Sequence, residues 1–430
     1  MSPLPAAAAP DSLGAALVQA REAALLTQGE LAERSGLSVR AIRNLETGHT
    51  ARPRRQSLLL LAEALGLPSR EAGRLLRLPR AGSPPTPPDA AVPAELPAAP
   101  RRRLVGRDAL TAELTALLAR TEPGHGRPAV VVGPPGAGKT SLALRAAHEV
   151  RGLFPDGQVF VDLHRASSLP NTSDVLVRRI LRSLGGAPAP ENPEEARARL
   201  RDALSRRRVL VVLDNVDSEA QVRPLLVDEG RSAVLVAARR ELSALSDGLH
   251  RRIGALDRQD AHRMLADLVG TARIRAERPA ARSVVESCAG LPLALHIAGL
   301  WLTARPHRSL GDLADRLADE RERLRSLHVG DLSLHTSVTA YYRPLPPPLR
   351  TALRQLADIQ GDFDVQEMTT RVTPSRRLAV DLLEELLHRQ LVQAGEPDRN
   401  GRIRYRVYDA VRLYVARGAV LPRERHLHCL

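Results

Sequence analysis

The sequence predicts a multidomain chain: a small all-α head, then an α/β body on a parallel sheet, then further helices and a small C-terminal unit. Three observations carry that prediction. Short amphipathic helices separated by capping and glycine signals crowd residues 12–78. Near-continuous apolar runs alternate with helical stretches, as in a parallel sheet covered on both faces: AVVV at 129–132, GQVFVDL at 157–163, RVLVVLDNVD at 208–217 and SAVLVAARR at 232–240. The first run enters Gly133-Pro134-Pro135-Gly136-Ala137-Gly138-Lys139-Thr140-Ser141, a glycine-rich loop that ends in lysine and threonine and opens a helix.

Each feature of that loop suits a phosphate. The glycines let backbone N–H groups approach oxygens with no Cβ in the way, and a helix N-terminus favours anions. Lys139 is expected to reach the β- and γ-phosphates and the Thr140 hydroxyl to ligate Mg²⁺. Lys139 is the only lysine among 63 basic residues. A compact ammonium in a tight cradle is not readily replaced by the planar fork of arginine used everywhere else. Asp214 closes an apolar strand at its C-terminal end, where ligands sit in such sheets, and is expected to be the second Mg²⁺ residue. ATP or ADP with Mg²⁺ is therefore the expected cofactor set, with Lys139 and Asp214 as the catalytic pair.

Composition bounds the partners. A length of 430 residues with 43% apolar content allows several globular domains. The start, MSPLPAAAAP, lacks the basic and apolar regions of a signal peptide, and the longest greasy segment, 291–302, is too short to span a bilayer. The expected location is cytoplasmic and nucleoid-associated, with no membrane partner. Cys288 and Cys429 supply neither a disulfide framework nor metal spacing. A net charge of +14 suits an acidic partner such as nucleic acid, while 2% aromatic content argues against a stacking platform for single strands. Double-stranded DNA is the expected macromolecular partner.

Along the chain, residues 1–10 read as a disordered leader and 11–78 as the head. A first helix covers about 13–26. Thr27 caps the second, TQGELAERSG, with Glu30 completing a capping box, and Gly36 makes the turn. Ser38 caps a third helix, SVRAIRNLE, and two more follow near 56–65 and 69–76. The spacing is that of a helix-turn-helix with supporting helices. On the third helix Ala41, Ile42 and Leu45 face the core, leaving Val39, Arg40, Arg43 and Asn44 on the arc that can enter a major groove. Residues 37–55 carry five arginines against one glutamate. Arg52, Arg54 and Arg55 follow the third helix as an arm suited to phosphates. A helical protein-interaction domain with a solvated basic face is the alternative reading.

Residues 79–103 are Pro/Ala-rich without periodicity and are expected to be an extended, semi-rigid linker. The P-loop NTPase core is assigned to 104–254 and a helical domain to 255–330. Within the latter Asp257 caps a helix, Gly290-Leu291-Pro292 breaks an apolar one, and 310–327 reads as a single amphipathic helix with a stripe at Leu313, Leu317 and Leu324. Residues 331–418, helices followed by a hairpin turning at 398–401, read as a winged-helix domain, and 419–430 as a tail. No internal repeat is visible.

Two resemblances sharpen these readings. TQGELAERSGLSVRAIRNLETG resembles the phage-repressor (XRE) type of helix-turn-helix, which implies DNA contacts from Gln28, Ser38, Val39, Arg40, Arg43 and Asn44. The body, about 104–418, resembles the NB-ARC family of signalling ATPases within the STAND class, including actinobacterial transcription regulators. LVGRDAL at 104–110 is similar to the motif whose Val105, Gly106 and Arg107 help hold adenine. VLVAAR is similar to the sensor strand and implies that Arg239 senses the γ-phosphate. CAGLPLAL implies that Pro292 packs on adenine. YRVYDAVRLYVAR is similar to a motif that normally carries His-Asp near the ADP β-phosphate, where this chain has Tyr408 and Asp409.

The chain departs from the family at three places. Asn215 stands where many members have a second acid, and an amide cannot act as a general base, so ATP hydrolysis is expected to be slow. Tyr408 in place of histidine implies a weaker ADP lock. Ala237 and Ala238 replace hydroxyl residues before Arg239. Larger relatives continue into sensor repeats that are not found here, so the input is expected from a sensor protein or the nucleotide ratio. The resemblance implies an ATP/ADP-switched transcriptional regulator that oligomerises with ATP. An immunity or stress-signalling NTPase with a protein-binding head, and a plain ATPase motor, are the other readings.

Overall fold

The computed structural model describes residues 13–24, 26–46, 55–67, 92–120, 128–163, 172–185, 188–227, 230–245, 248–397, 399 and 401–416. The expected leader 1–10, the helix 69–76, the linker portion 79–91 and the tail 419–430 lie outside them. The chain divides into two units, residues 1–91 with 185–188, and 92–184 with 189–430.

The first unit contains α1 (Leu13–Ala23), α2 (Gln28–Ser35), α3 (Val39–Glu46) and α4 (Arg55–Ala64). The expected capping box is present: the Thr27 side chain accepts from Glu30 N–H while Glu30 accepts from Thr27 N–H. Gly36 ends α2 at φ 71°, a left-handed position that favours glycine. Leu17, Leu31, Ile42, Leu58 and Leu61 meet in one small core. Glu46, with only 3% of its side chain exposed, accepts from Arg21 Nε and from Gln28 Nε2, each at 2.7 Å. That buried carboxylate ties α1, α2 and α3 together, which a core this small needs.

The second unit is built on a five-stranded sheet of β1 (Ala129–Val132), β2 (Gln158–Asp162), β3 (Leu210–Val216), β4 (Ala233–Ala238) and β5 (Leu249–Arg252). Its strand order is β2-β3-β4-β1-β5, and every pairing is parallel. Alternation along the strands sends Val130, Val211, Leu213 and Val236 to one face, where α7 (Thr172–Ser183) and α8 (Pro193–Arg206) pack. Val131, Val212 and Leu235 go to the other, against α5 (Asp108–Leu118) and α6 (Lys139–Val150). β5, reading Leu-His-Arg-Arg, was not expected as a strand. It lies at the sheet edge, where no apolar run is required.

The helical stretch contains α9 (Arg258–Val269), α10 (Thr271–Ala276), α11 (Arg278–Ser287), α12 (Pro292–Thr303), α13 (Leu310–Ala318) and α14 (Glu320–Ser326). The single helix expected over 310–327 is two, because Asp319 leaves helical geometry (ψ 104°) and caps α14 by accepting from Arg321 N–H. Leu313, Leu317 and Leu324 are buried all the same. A short hairpin, β6 (His328–Val329) with β7 (Leu332–Ser333), leads into α15 (Leu334–Tyr342). Then come α16 (Pro347–Ala357), α17 (Val365–Arg371), α18 (Arg376–His388), the antiparallel pair β8 (Val392–Pro397) and β9 (Ile403–Val407), and α19 (Asp409–Ala416). Phe363 and Tyr405 exchange two backbone hydrogen bonds, adding a third short extended segment to that pair. Buried residues from Leu256 to Val415 form one continuous core, so the stretches read as 255–330 and 331–418 fold against each other.

The described part of the expected linker, 92–103, is extended as expected but is not a free spacer. Gln158 N–H donates to Pro93 O at 2.6 Å, and Glu95 N–H to Gln158 O at 2.9 Å. Glu95 pairs with Arg179 at 2.9 Å, and Leu96 packs on the sheet core. An extended chain has its peptide groups unpaired, and the open edge of β2 satisfies them.

Candidate nucleotide site

The site is built where β1 and β3 end. β1 is fully buried and delivers the chain into the glycine loop. Gly136 and Gly138 have φ of 79° and 90°, the left-handed region. At Gly133 a Cβ would run into the Ile253 carbonyl just beyond β5. Pro134, Pro135 and Ala137 are buried, and α6 begins at Lys139, with Ser141 in its first turn.

Lys139 Nζ donates to Gly133 O and to Pro134 O, both at 2.9 Å. Its ammonium is enclosed although the residue keeps some surface, and burial pushes its pKa down to about 7; Asp214 opposes that shift and Arg239 adds to it. Thr140 Oγ1 lies 2.9 and 3.0 Å from the two carboxylate oxygens of Asp214. Burial raises the pKa of Asp214, its bond from Thr140 opposes this, and the charge of Asp162 adds to it. A hydroxyl beside a buried carboxylate at the foot of a glycine cradle is a donor set that fits Mg²⁺ and a nucleotide's phosphates.

Asn215 sits at φ 60°, and the β3–β4 register slips between Leu213 and Val216. That bulge turns the Asn215 amide to donate to Asp162 Oδ1 at 2.8 Å. Asp162 faces Asp214 across the parallel β2–β3 register. Asp162 is a further functional candidate beyond those expected, and its signal is an acid ending the strand next to Asp214.

The remaining expected residues gather around this centre. Arg107 donates to Gly254 O, and a Cβ on Gly106 (φ 69°) would meet the Asp260 carboxylate, so Val105–Arg107 lies against the segment that touches Gly133. Pro292 heads α12 with its ring against Gly138, and Leu293 N–H donates to Gly136 O at 3.1 Å. Arg239, 5% exposed, pairs with Asp217 at 2.6 Å and donates to Asn215 O at 3.2 Å and to Ala340 O at 3.0 Å.

A further residue, not among those expected, stands at the centre. Tyr341, on α15, is buried and donates to Gly133 O at 3.0 Å, and the Lys139 ammonium lies 5.1 Å from its ring centroid. Burial raises its pKa. Tyr408 is half-buried, and burial raises its pKa as well. A signal existed: all five tyrosines of the chain fall between 341 and 414.

In the first unit Val39 is 42% exposed and Arg43 is exposed, while Ile42 and Leu45 are buried in the small core. Ala41 and Asn44 are half-buried. Ser38 Oγ accepts from Ala41 N–H at 3.2 Å. The Gln28 amide is held by Glu46. Arg52 and Arg54 lie outside the described residues, as do the side chains of Arg40 and Arg55.

A parallel sheet with a glycine cradle at one strand end and a threonine–aspartate pair beside it defines a P-loop ATPase. The chain belongs to the AAA ATPase domain family, whose model matches residues 103–400; a helix-turn-helix model matches 17–71. It is 36% identical over 368 residues to the Regulatory protein AfsR of Streptomyces griseus, covering 83% of this chain and 37% of that protein. With the Regulatory protein AfsR of Streptomyces coelicolor it shares 37% over 341 residues, 77% of this chain and 34% of that one. The chain thus spans about a third of the length of these curated relatives. Among solved structures, the Walker-type ATPase PABY2304 of Pyrococcus abyssi matches in fold, with TM-score 0.51 at 15% identity over 75% of this chain and 98% of that one. Among the described residues no helix is long and apolar enough to cross a membrane.

Proposed function

We propose that the chain is an ATP/ADP-switched, DNA-binding transcriptional regulator of the STAND (NB-ARC) class. One observation supports the switch above all: α15 holds both groups that would read the terminal phosphate. Tyr341 covers Lys139 and bonds to the loop, and the Ala340 carbonyl occupies Arg239. Elsewhere the segment after β4 meets the end of α18, where Arg240 lies 2.9 Å from His388 Nε2 and Glu241 N–H donates to His388 O at 2.9 Å. A ligand shifts such an equilibrium only through different contacts in its two states. A γ-phosphate that recruits Lys139 and Arg239 takes them from α15.

In this reading Lys139 and the loop N–H groups hold the phosphates. Val105–Arg107 and Pro292 hold adenine, Arg239 senses the γ-phosphate, and Tyr408 lies near the β-phosphate. Thr140 and Asp214 would hold Mg²⁺, which neutralises phosphate charge when bound, and Asp162 adds a second carboxylate beside them. Asn215 cannot take a proton from water, so hydrolysis is slow and resets the switch rather than driving turnover. The C-terminal order of helix, short extended segment, two helices and hairpin supports a winged helix. The relatives' description as regulatory proteins and the helix-turn-helix support action on duplex DNA in the cytoplasm, at the nucleoid. ATP-driven opening would assemble several heads on repeated sites, with avidity replacing single-site strength; the input would come from a sensor protein or from the nucleotide ratio itself.

The test is the mass in solution and the DNA affinity with ADP and with a non-hydrolysable ATP analogue. The expected outcome is a larger assembly and tighter, steeply salt-dependent DNA binding with the analogue. Equal mass and equal affinity in the two states would refute the switch.

A further inference from the structure

The helix that touches the phosphate loop also lines a second, unrelated concavity. Leu293, in the first turn of α12, bonds to Gly136, and Trp301 lies eight residues further on, about 12 Å along the helix axis. There Trp301, the single tryptophan of the chain, borders a cavity of about 570 Å³. Four arginines line it, Arg305, Arg308, Arg316 and Arg325, against one carboxylate, Asp312.

The arginines are not equivalent. Arg308 faces Asp312 at 3.9 Å and Arg325 meets Glu322 at 3.3 Å. Arg305 and Arg316 have no carboxylate in ion-pair reach among the described residues, and each is held in place by other means. Their guanidinium carbons lie 4.9 and 5.9 Å from the Trp301 ring centroid. Arg316 Nε donates to Ser326 Oγ at 3.1 Å, and Arg305 Nη1 to Trp301 O at 3.4 Å. Two exposed arginines, each held by one hydrogen bond and by the indole face, line a cavity of small-ligand size, and guanidinium forks suit phosphate oxygens. The indole is engaged by the guanidinium groups, which leaves it unsuited to stacking a base.

We propose that this cavity binds a small polyphosphate anion, with Arg305 and Arg316 taking its phosphate groups. Through α12 its occupancy would be felt at the phosphate loop, giving the chain an anionic input besides nucleotide.

Because Trp301 is the sole tryptophan, its fluorescence reports the cavity directly. Inorganic tripolyphosphate is titrated into the full chain without Mg²⁺, for the unchanged protein and for the Arg305→Gln/Arg316→Gln, Arg316→Lys and Lys139→Ala variants, each checked for folding by circular dichroism. The expected result is a saturable change that survives Lys139→Ala and weakens at least about tenfold in the double variant. Arg316→Lys, which keeps charge but loses the fork, should fall between. No saturable change would overturn the proposal. So would a change lost in Lys139→Ala but indifferent to the arginine variants, or a response to short duplex DNA without one to tripolyphosphate.

Discussion

The two sides of the phosphate cradle are held in different ways. On one side Gly133–Thr140 and Asp214 are fixed by a buried sheet: β1 has no exposed residue, and Asp214 is 7% exposed. On the other side α15 reaches the same loop from some 200 residues away in sequence, through the Tyr341 hydroxyl and the ring over Lys139, while its Ala340 carbonyl accepts from Arg239 just beyond β4. The first side cannot leave without unfolding the sheet. The second is joined there by a few polar contacts, each worth about 1 kcal/mol net, and can be exchanged for ligand contacts. In the proposed switch the rigid half would bind nucleotide and the replaceable half would compete with it.

The largest expected effect breaks the rigid side. Lys139→Ala removes a charged donor and should weaken ATP and ADP by about 2–3 kcal/mol, on the order of 100-fold, in calorimetric titration. A loss below tenfold would mean that the backbone cradle holds the nucleotide alone.

A pH series sharpens the comparison. With its pKa near 7, Lys139 must take up a proton to bind phosphate in alkaline solution. Affinity should fall about tenfold between pH 6 and 8, with proton uptake visible as a buffer-dependent binding heat at pH 8. A flat profile would show that Lys139 is already charged before binding. The sign for stability is opposite: a base whose folded pKa is depressed costs most below that pKa, so the cost of burying Lys139 fades as pH rises from about 7 toward 10.5.

The smallest effect tests the replaceable side. Tyr341→Phe keeps the ring over Lys139 and deletes one hydrogen bond of about 1 kcal/mol, so nucleotide should bind about fivefold more tightly. Weaker binding would recast Tyr341 as a ligand-binding residue rather than a competitor.

Local chemistry was legible where neighbours in sequence are neighbours in space. The Thr27–Glu30 box, the Gly36 turn, the glycine loop and the break before Pro292 all act within a few residues. The Thr140–Asp214 pair was also legible, because a strand-end acid paired with an upstream glycine loop has few other roles. Asp319 stops α13 in a stretch whose leucine spacing continues, so periodicity alone could not place the break. β5 has no apolar run to reveal it, since an edge strand is asked to pair on one side only.

The sequence by itself determined the head of short capped helices, the parallel-sheet ATPase body, and the lysine, threonine and aspartate of the cradle. Those follow from backbone propensity, burial and phosphate chemistry, which act over a few residues. Only the tertiary structure decided that 93–95 pairs with β2, that the Asn215 amide turns to Asp162, and that Tyr341 touches the loop. Each depends on which groups distant in the chain arrive together, and a shared core running from Leu256 to Val415 sets that arrival without leaving a local signature.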